Sequence, residues 1–186
     1  MILTHHEKDD SKHAIIAEAD HLSADERETS DDVFTLAPLK SVFSGIVSGK
    51  RKENNRYFYY WPSSLSDEAL YPLLKSSAED LKKDEQSLAA AYTSVLNNLK
   101  DDLRELRDIE DFNSAVDSVV SVMEKHLSLV PSAGYKSIPD ISLYDHMRMT
   151  SAIATCLFAS DDIQKPFMLI EGDISGIQNY IYSINS

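Results

Sequence analysis

The feature that most restricts what this chain can become is the apolar pattern over residues 80–107. Leu81, Leu88 and Val95 fall on one seven-residue line, Tyr92, Leu99 and Leu106 on its neighbour, and Leu96 and Leu103 lie between them. Apolar residues at that period form one stripe along a helix of about eight turns. Lys82, Lys83, Lys100, Asp101 and Arg104 fall mostly outside the stripe. Glu85 and Asp102 interrupt the seam, which favours packing within the chain over a free coiled-coil partner. After an acidic break at 108–111, Phe112, Val116, Val119, Val120, Met123 and Leu127 repeat the helical period, and Pro131 ends the segment. Residues 131–140, with Gly134 and Pro139, read as a loop. A third helix is predicted over 142–160, with Asp140 or Ser142 placed to cap it. Leu143, Met147, Ala154 and Phe158 share one of its faces. His146 lies beside them with apolar neighbours at helical spacing, which reads as a hydrogen-bonded core histidine rather than a ligand.

Composition bounds the function classes. The chain has 186 residues, 42% hydrophobic and 26% charged, which fits a globular protein of one to two domains. No window approaches the apolar length of a membrane span, and MILTHHEKDD is not a signal peptide. The single cysteine, Cys156, excludes an internal disulfide and suits a reducing, cytoplasmic setting. It falls among apolar helix positions and is expected in the core. Net charge is −13, from 31 acids against 18 bases, and the one dense basic run is Lys50, Arg51 and Lys52. A duplex binder needs a basic patch, so the chain alone is expected to hold DNA or RNA poorly.

The N-terminal part is rich in histidine, with His5, His6, His13 and His21. Residues 12–22 read as a short amphipathic helix on which His13 and Asp20, two turns apart, share a face. HD-type sites gather imidazoles and carboxylates from several helices around a metal, and these residue types suit that chemistry. The alternative is a histidine-rich, frayed terminus with a solvated Asp20. Residues 23–32 are acidic and polar and read as a solvated loop or helix end. Residues 38–47 and 56–61 read as two strands of a small β-hairpin, whose aromatic residues either pack in the core or form a stacking platform beside Lys50, Arg51, Lys52 and Arg56. Pro62 and the serines at 63, 64 and 66 are expected to end that hairpin and start another helix. A polar linker at 161–166 then precedes an apolar run at 167–170, a turn bracketed by Gly172 and Gly176, and Ile177, Tyr180, Ile181 and Ile184 at helical spacing. That is a β-α unit too small to stand alone, so it is expected to open a larger domain.

GDISGIQ at residues 172–178, DISLYDH at 140–146, PLKSVFSGI at 38–46, ADHLSADERE at 19–28 and the His5–His6 pair together resemble the large signature subunit of type III CRISPR interference complexes, in its Csm-type form. Their order and spacing carry the resemblance, since each word alone is weak. The resemblance implies an HD-type, metal-dependent nuclease acting on single-stranded DNA with manganese, nickel or magnesium. It also implies a pair of Palm domains, the second making cyclic oligoadenylate from ATP with a GGDD motif. The implied partners are the other subunits of the effector complex with guide RNA, and single-stranded DNA, with no membrane. His5 and His6 match the family's histidine pair and Asp20 the aspartate of its AD-hLS word, so these three are the implied metal ligands. Asp173 stands where Palm folds place a magnesium-binding aspartate. It and Ser175 form a weak candidate nucleotide site, for which helix capping is the competing role.

The sequence carries neither GGDD nor a His-Asp dyad ahead of His5, and no P-loop. The expected fold is therefore mainly α: an incomplete HD-like helical lobe with a small hairpin over residues 1–160, a linker at 161–166, and the first β-α unit of a truncated ferredoxin-like Palm at 167–186. The expected function is that of an internal piece of the large subunit, inactive alone. The alternative is a non-catalytic helical interaction module that keeps the ancestry; a stand-alone HD phosphohydrolase requires the missing dyad.

Overall fold

The computed structural model describes residues 11–24, 29–33, 36–45, 57–75, 84–133, 135–137, 139–161 and 167–170. In chain order the elements are α1 (Ser11–Ala24), β1 (Thr29–Val33), β2 (Leu39–Lys40), a 3-10 turn (Val42–Gly45), β3 (Tyr57–Tyr60), β4 (Leu73–Lys75), α2 (Glu85–Glu105) running into a 3-10 turn (Leu106–Asp108), α3 (Phe112–Leu127), β5 (Tyr135–Ser137) and α4 (Leu143–Ala159). The described residues are mainly helical, with two small antiparallel sheets ordered β1-β5 and β2-β3-β4.

The helices follow the periodicity that predicts them. On α2 the inner line is realised by Leu88 and Val95, both buried, while Leu96 turns outward. The helix tightens at Leu106–Asp108 and reverses through residues 109–111 into α3, so α2 and α3 pack side by side as a helical hairpin. Asp111 starts α3 by accepting the Ser114 amide at 2.8 Å, and Lys125 and His126 in its last turn face the negative end of the helix dipole. At α4 the cap is Ser142, not Asp140. Its hydroxyl oxygen accepts the Asp145 amide at 3.0 Å and its proton goes to the Asp145 carboxylate at 2.7 Å.

The sheets depart further from expectation. The hairpin exists, pairing Leu39 with Tyr60 and Lys40 with Tyr59, but β2 is only two residues long. VFSG coils into a 3-10 turn instead of continuing the strand. Ser44 explains this: the Phe58 carbonyl keeps its bond from the Ser41 amide at 2.8 Å, but the Phe58 amide donates to Ser44 Oγ at 2.8 Å in place of the next ladder acceptor, and the Ser44 hydroxyl adds a bond to the Phe58 carbonyl at 3.1 Å. β4 adds a third strand, with Phe58 opposite Leu74. The helix expected after Pro62 is a turn, closed when Ser66 offers both its carbonyl and its hydroxyl to the Ala69 amide. Two stretches read as loops, 23–32 and 131–140, contribute β1 and β5. Neither has a strand's apolar alternation, and it is the long-range backbone pairing that makes them strands.

Tyr59 is buried and Phe58 on the opposite face is exposed, so the core role of the hairpin aromatics holds for the first. Cys156 is exposed, contrary to its expected place in the core, because α4 turns that side away from α1. Residues 167–170 have no ladder partner among the described residues; Leu169 is 92% exposed. A strand is defined by its neighbour, and apolar character alone does not make one.

Buried side chains collect where α1 meets α4, around the fully buried Ala19, and at the approach to β2, where Ala37, Pro38 and Leu39 are covered. Tyr92 on α2 donates its hydroxyl to the Ala37 carbonyl at 2.6 Å, and burial pushes its phenol up to about 12. A folded-state value above the unfolded one adds stability that is complete below pH of about 10 and is lost as pH rises through the folded value. Tyr92→Phe is therefore expected to cost about 1 kcal/mol in urea unfolding at neutral pH, and to remove the alkaline loss expected of the wild type. An unchanged midpoint would contradict the hydrogen bond.

Candidate functional site

α1 and α4 bring together residues that the sequence keeps apart. Asp20 and Ser23 are three apart on α1 and share a face, as do His146 and Thr150 on α4. Where the faces meet, His146 Nε2 lies 2.9 Å from Asp20 Oδ1. An ionised carboxylate only accepts, so the imidazole proton sits on Nε2. On the other side of the ring Nδ1 lies 3.2 Å from Ser23 Oγ, which is 2.8 Å from Thr150 Oγ1 and 2.9 Å from the Asp20 carbonyl. Thr150 also donates to the His146 carbonyl at 2.9 Å. Ser23 has one proton to share among these neighbours, so the firm anchor of the imidazole is Nε2, and the His146 side chain is 10% exposed against 41% for Asp20. The buried ring holds one oxygen of a carboxylate that still reaches solvent.

A second histidine is built alike. His126 is fully buried at the end of α3; its Nε2 donates to Asp102 Oδ2 at 2.8 Å and Nδ1 meets Ser64 Oγ at 2.8 Å. Lys125 donates to the same Asp102 oxygen at 2.7 Å, and the Lys125 carbonyl takes the Leu65 amide at 2.7 Å. The node ties the segment after β3 to the α2–α3 hairpin. The Lys125 hydrogen bond, and after it that of His126, holds the Asp102 carboxyl below the usual carboxylate range. The sequence did carry a signal for it: Asp102 breaks an apolar seam, and a polar group in such a seam requires a partner.

Of the residues predicted to form a site, Asp20 is described, and its side-chain partner is His146. His5, His6, Asp173 and Ser175 lie outside the described residues. Among the described residues no three histidine, cysteine or acidic side chains cluster as a metal site. His146 is the hydrogen-bonded interior residue that its neighbours predict. Ser23 and Thr150 escaped notice because Ser23 reads as loop and Thr150 as an ordinary helix position.

No protein-family model matches the sequence. The chain is 34% identical over 182 residues to the CRISPR system single-strand-specific deoxyribonuclease Cas10/Csm1 (subtype III-A) of Thermococcus onnurineus, an alignment covering 92% of this chain and 20% of that protein. The Mycobacterium tuberculosis protein of the same description is 30% identical over 169 residues, covering 80% of this chain and 19% of the relative. The chain belongs to the Cas10/Csm1 family. It spans about a fifth of the length of these curated relatives. A crystal structure of a Csm1–Csm4 cassette in complex with cA4 matches 78% of this chain and 16% of its own at 26% identity, with a TM-score of 0.47. No helix among the described residues is long and apolar enough to cross a membrane. Within the Cas10/Csm1 resemblance, ADHLS and DISLYDH are distant in sequence, and here Asp20 and Ser23 of the first word meet His146 of the second.

The Asp102 node generates a pH prediction. A depressed carboxyl adds stability that is complete above its unfolded value, about 3.9, and is lost as pH falls through the folded value. Asp102→Asn should be less stable than wild type at neutral pH, with the gap constant down to pH of about 4 and closing below it. His126→Ala, which removes a buried ring and strands two polar partners, should cost about 2–3 kcal/mol by urea unfolding. A pH-independent gap for the first, or an unchanged midpoint for the second, would contradict the node.

Proposed function

We propose that this Cas10/Csm1 family chain supplies an HD-like lobe, residues 1–160, a linker at 161–166 and the opening β-α unit of a ferredoxin-like Palm at 167–186 to an effector large subunit. Its relatives are named as single-strand-specific deoxyribonucleases, and the proposed role is in cleavage of single-stranded DNA beside other effector subunits and guide RNA. The observation that carries the reading is Asp20, a carboxylate with one oxygen held by a buried imidazole and the residue itself open to solvent. Hydrogen-bonded carboxylates and neutral imidazoles fit manganese, nickel or magnesium to different degrees, imidazole favouring nickel and carboxylate favouring manganese and magnesium. His5, His6 and Asp20 are the residues that would hold the ion. When bound, it would polarise the phosphodiester and supply an activated water. For the chain's own residues the roles are to bind the ion and, through α1 and α4, to keep the ligand carboxylate in place.

Asp173 and Ser175 are proposed as the turn of the Palm, with capping as their first role. ATP use and cyclic oligoadenylate synthesis would require a GGDD motif that this sequence lacks. A second reading is a non-catalytic interaction module, and one observation favours it. Phe112, Val116, Val119 and Val120 form an exposed apolar stripe along α3, with Phe112 78% exposed. Stripes of that kind mark contact surfaces.

The purified chain is expected to show no manganese- or nickel-dependent cleavage of single-stranded DNA and no ATP turnover, because the dyad and GGDD are missing. Robust cleavage abolished by His6→Ala would overturn that expectation. Manganese titration followed by NMR should perturb His5, His6 and Asp20 first. A response centred on His126 or Asp173 instead would count against the HD-like site and leave the interaction module as the better reading.

A further inference from the structure

α3 carries two lines of side chains with different fates. Ala115, Ser118, Val122 and His126 recur at helical spacing, are half-buried or buried, and face α2, as the bond from His126 to Asp102 shows. Phe112, Val116, Val119 and Val120 form the second line, which continues to the half-buried Met123 and extends about 16 Å along the axis. All four of these apolar residues are exposed. A helix that is apolar on two sides is covered on both when its contacts are complete, so the second line fits a further element.

The charges around that line set the chemistry of the element. The turn into α3 carries Asp108, Glu110 and Asp111, and Asp117 and Glu124 flank the line on α3 itself. Asp111 is firmly ionised, because the hydrogen bonds from Ser114, the backbone amide first, hold its carboxyl below the usual carboxylate range. The nearby bases do not offset these acids. Lys125 is bonded to Asp102 of α2, and residues 106–111 contain one base, Arg107. Such a rim repels nucleic acid and anionic lipid, and a second copy brings the same acids and the same net charge of −13. The complement is a protein helix with apolar side chains along one face and lysines or arginines beside them.

We infer that the exposed line from Phe112 to Val120, with its acidic border, is the docking face for a basic amphipathic helix of a partner protein. This rests on the reading of the α3 stripe as a contact surface, and names the partner that the surface fits.

The test is fluorescence anisotropy with the whole chain and two synthetic helical peptides of about 18 residues, one of leucine and lysine and one of leucine and glutamate in the same amphipathic order. Wild type is compared with Phe112→Ser/Val116→Ser, in which serine has about the helix propensity of the residues it replaces. Urea unfolding and sedimentation of both proteins accompany the titrations. The lysine peptide should bind wild type, about tenfold more weakly to the double variant, and more weakly as salt rises from about 0.01 to 0.1 M. The glutamate peptide should not bind. Equal binding of the two peptides, or binding of the lysine peptide that ignores salt, overturns the basic partner while the stripe remains a contact surface. Equal binding of the lysine peptide to both proteins also overturns the inference, since net charge alone then holds it. If neither peptide binds, the inference is overturned. In that case a wild type that self-associates, with a monomeric double variant, makes a second copy the occupant and keeps the contact-surface reading, whereas a double variant that only loses stability removes that reading too.

Discussion

The contact between Asp20 and His146 closes a loop of 126 residues, and the arrangement of the chain between them depends on that closure. Bringing the ends of so long a loop together costs about 4 kcal/mol in chain entropy, beyond a constant term. One hydrogen bond to a charged group returns about 1.5–3 kcal/mol, and less where the carboxylate is part-exposed. The polar cluster therefore cannot hold α1 on α4 alone. Burial of Ala19 and partial burial of Ile15, Ala154 and Ile153 must supply the rest. What the cluster adds is direction, because apolar packing tolerates small slides and rotations, whereas the hydrogen bond from the imidazole to the Asp20 carboxylate does not. The division of labour is that apolar contacts hold the helices together and the histidine sets their register.

The same construction recurs at His126, where a buried imidazole joins a carboxylate on α2 to a serine beyond β3. In both places a histidine on one helix lies between a carboxylate on another and a hydroxyl. A small, acidic chain with little sheet gains its long-range order this way. The two nodes differ at their carboxylates. Lys125 shares the Asp102 oxygen with His126, whereas His146 is the side-chain partner recorded for Asp20 among the described residues.

The helices were legible because their signal is local. Periodicity located α3, whose end at Leu127 comes before the expected stop at Pro131, and placed Leu88 and Val95 on the inner line of α2, and the choice between two caps for α4 fell within two positions. Strands were harder. TSDDV and YKS have no apolar alternation, and each becomes a strand through the other, a hundred residues away. At VFSG a strand pattern lost to one serine hydroxyl that took the Phe58 amide from the next ladder acceptor. Cys156 misled because a helix face that looks apolar is buried only where another element covers it. Of the site, the residue types were visible and the pairing was not: His13 and Asp20 share a helix face, but the imidazole that reaches Asp20 comes from α4. Family words in the sequence named both partners without saying that they touch.

The central claim, that Asp20 and His146 are energetically one unit joining α1 to α4, is most directly tested by a double-mutant cycle on unfolding free energy. Wild type, Asp20→Ala, His146→Ala and the double variant would be unfolded in urea at neutral pH. Coupled residues should give an interaction energy of about 1 kcal/mol, the double variant losing less than the two single losses combined. Losses that simply add, within about 0.3 kcal/mol, would mean that the two side chains stabilise the protein independently and that the clamp described here does not exist.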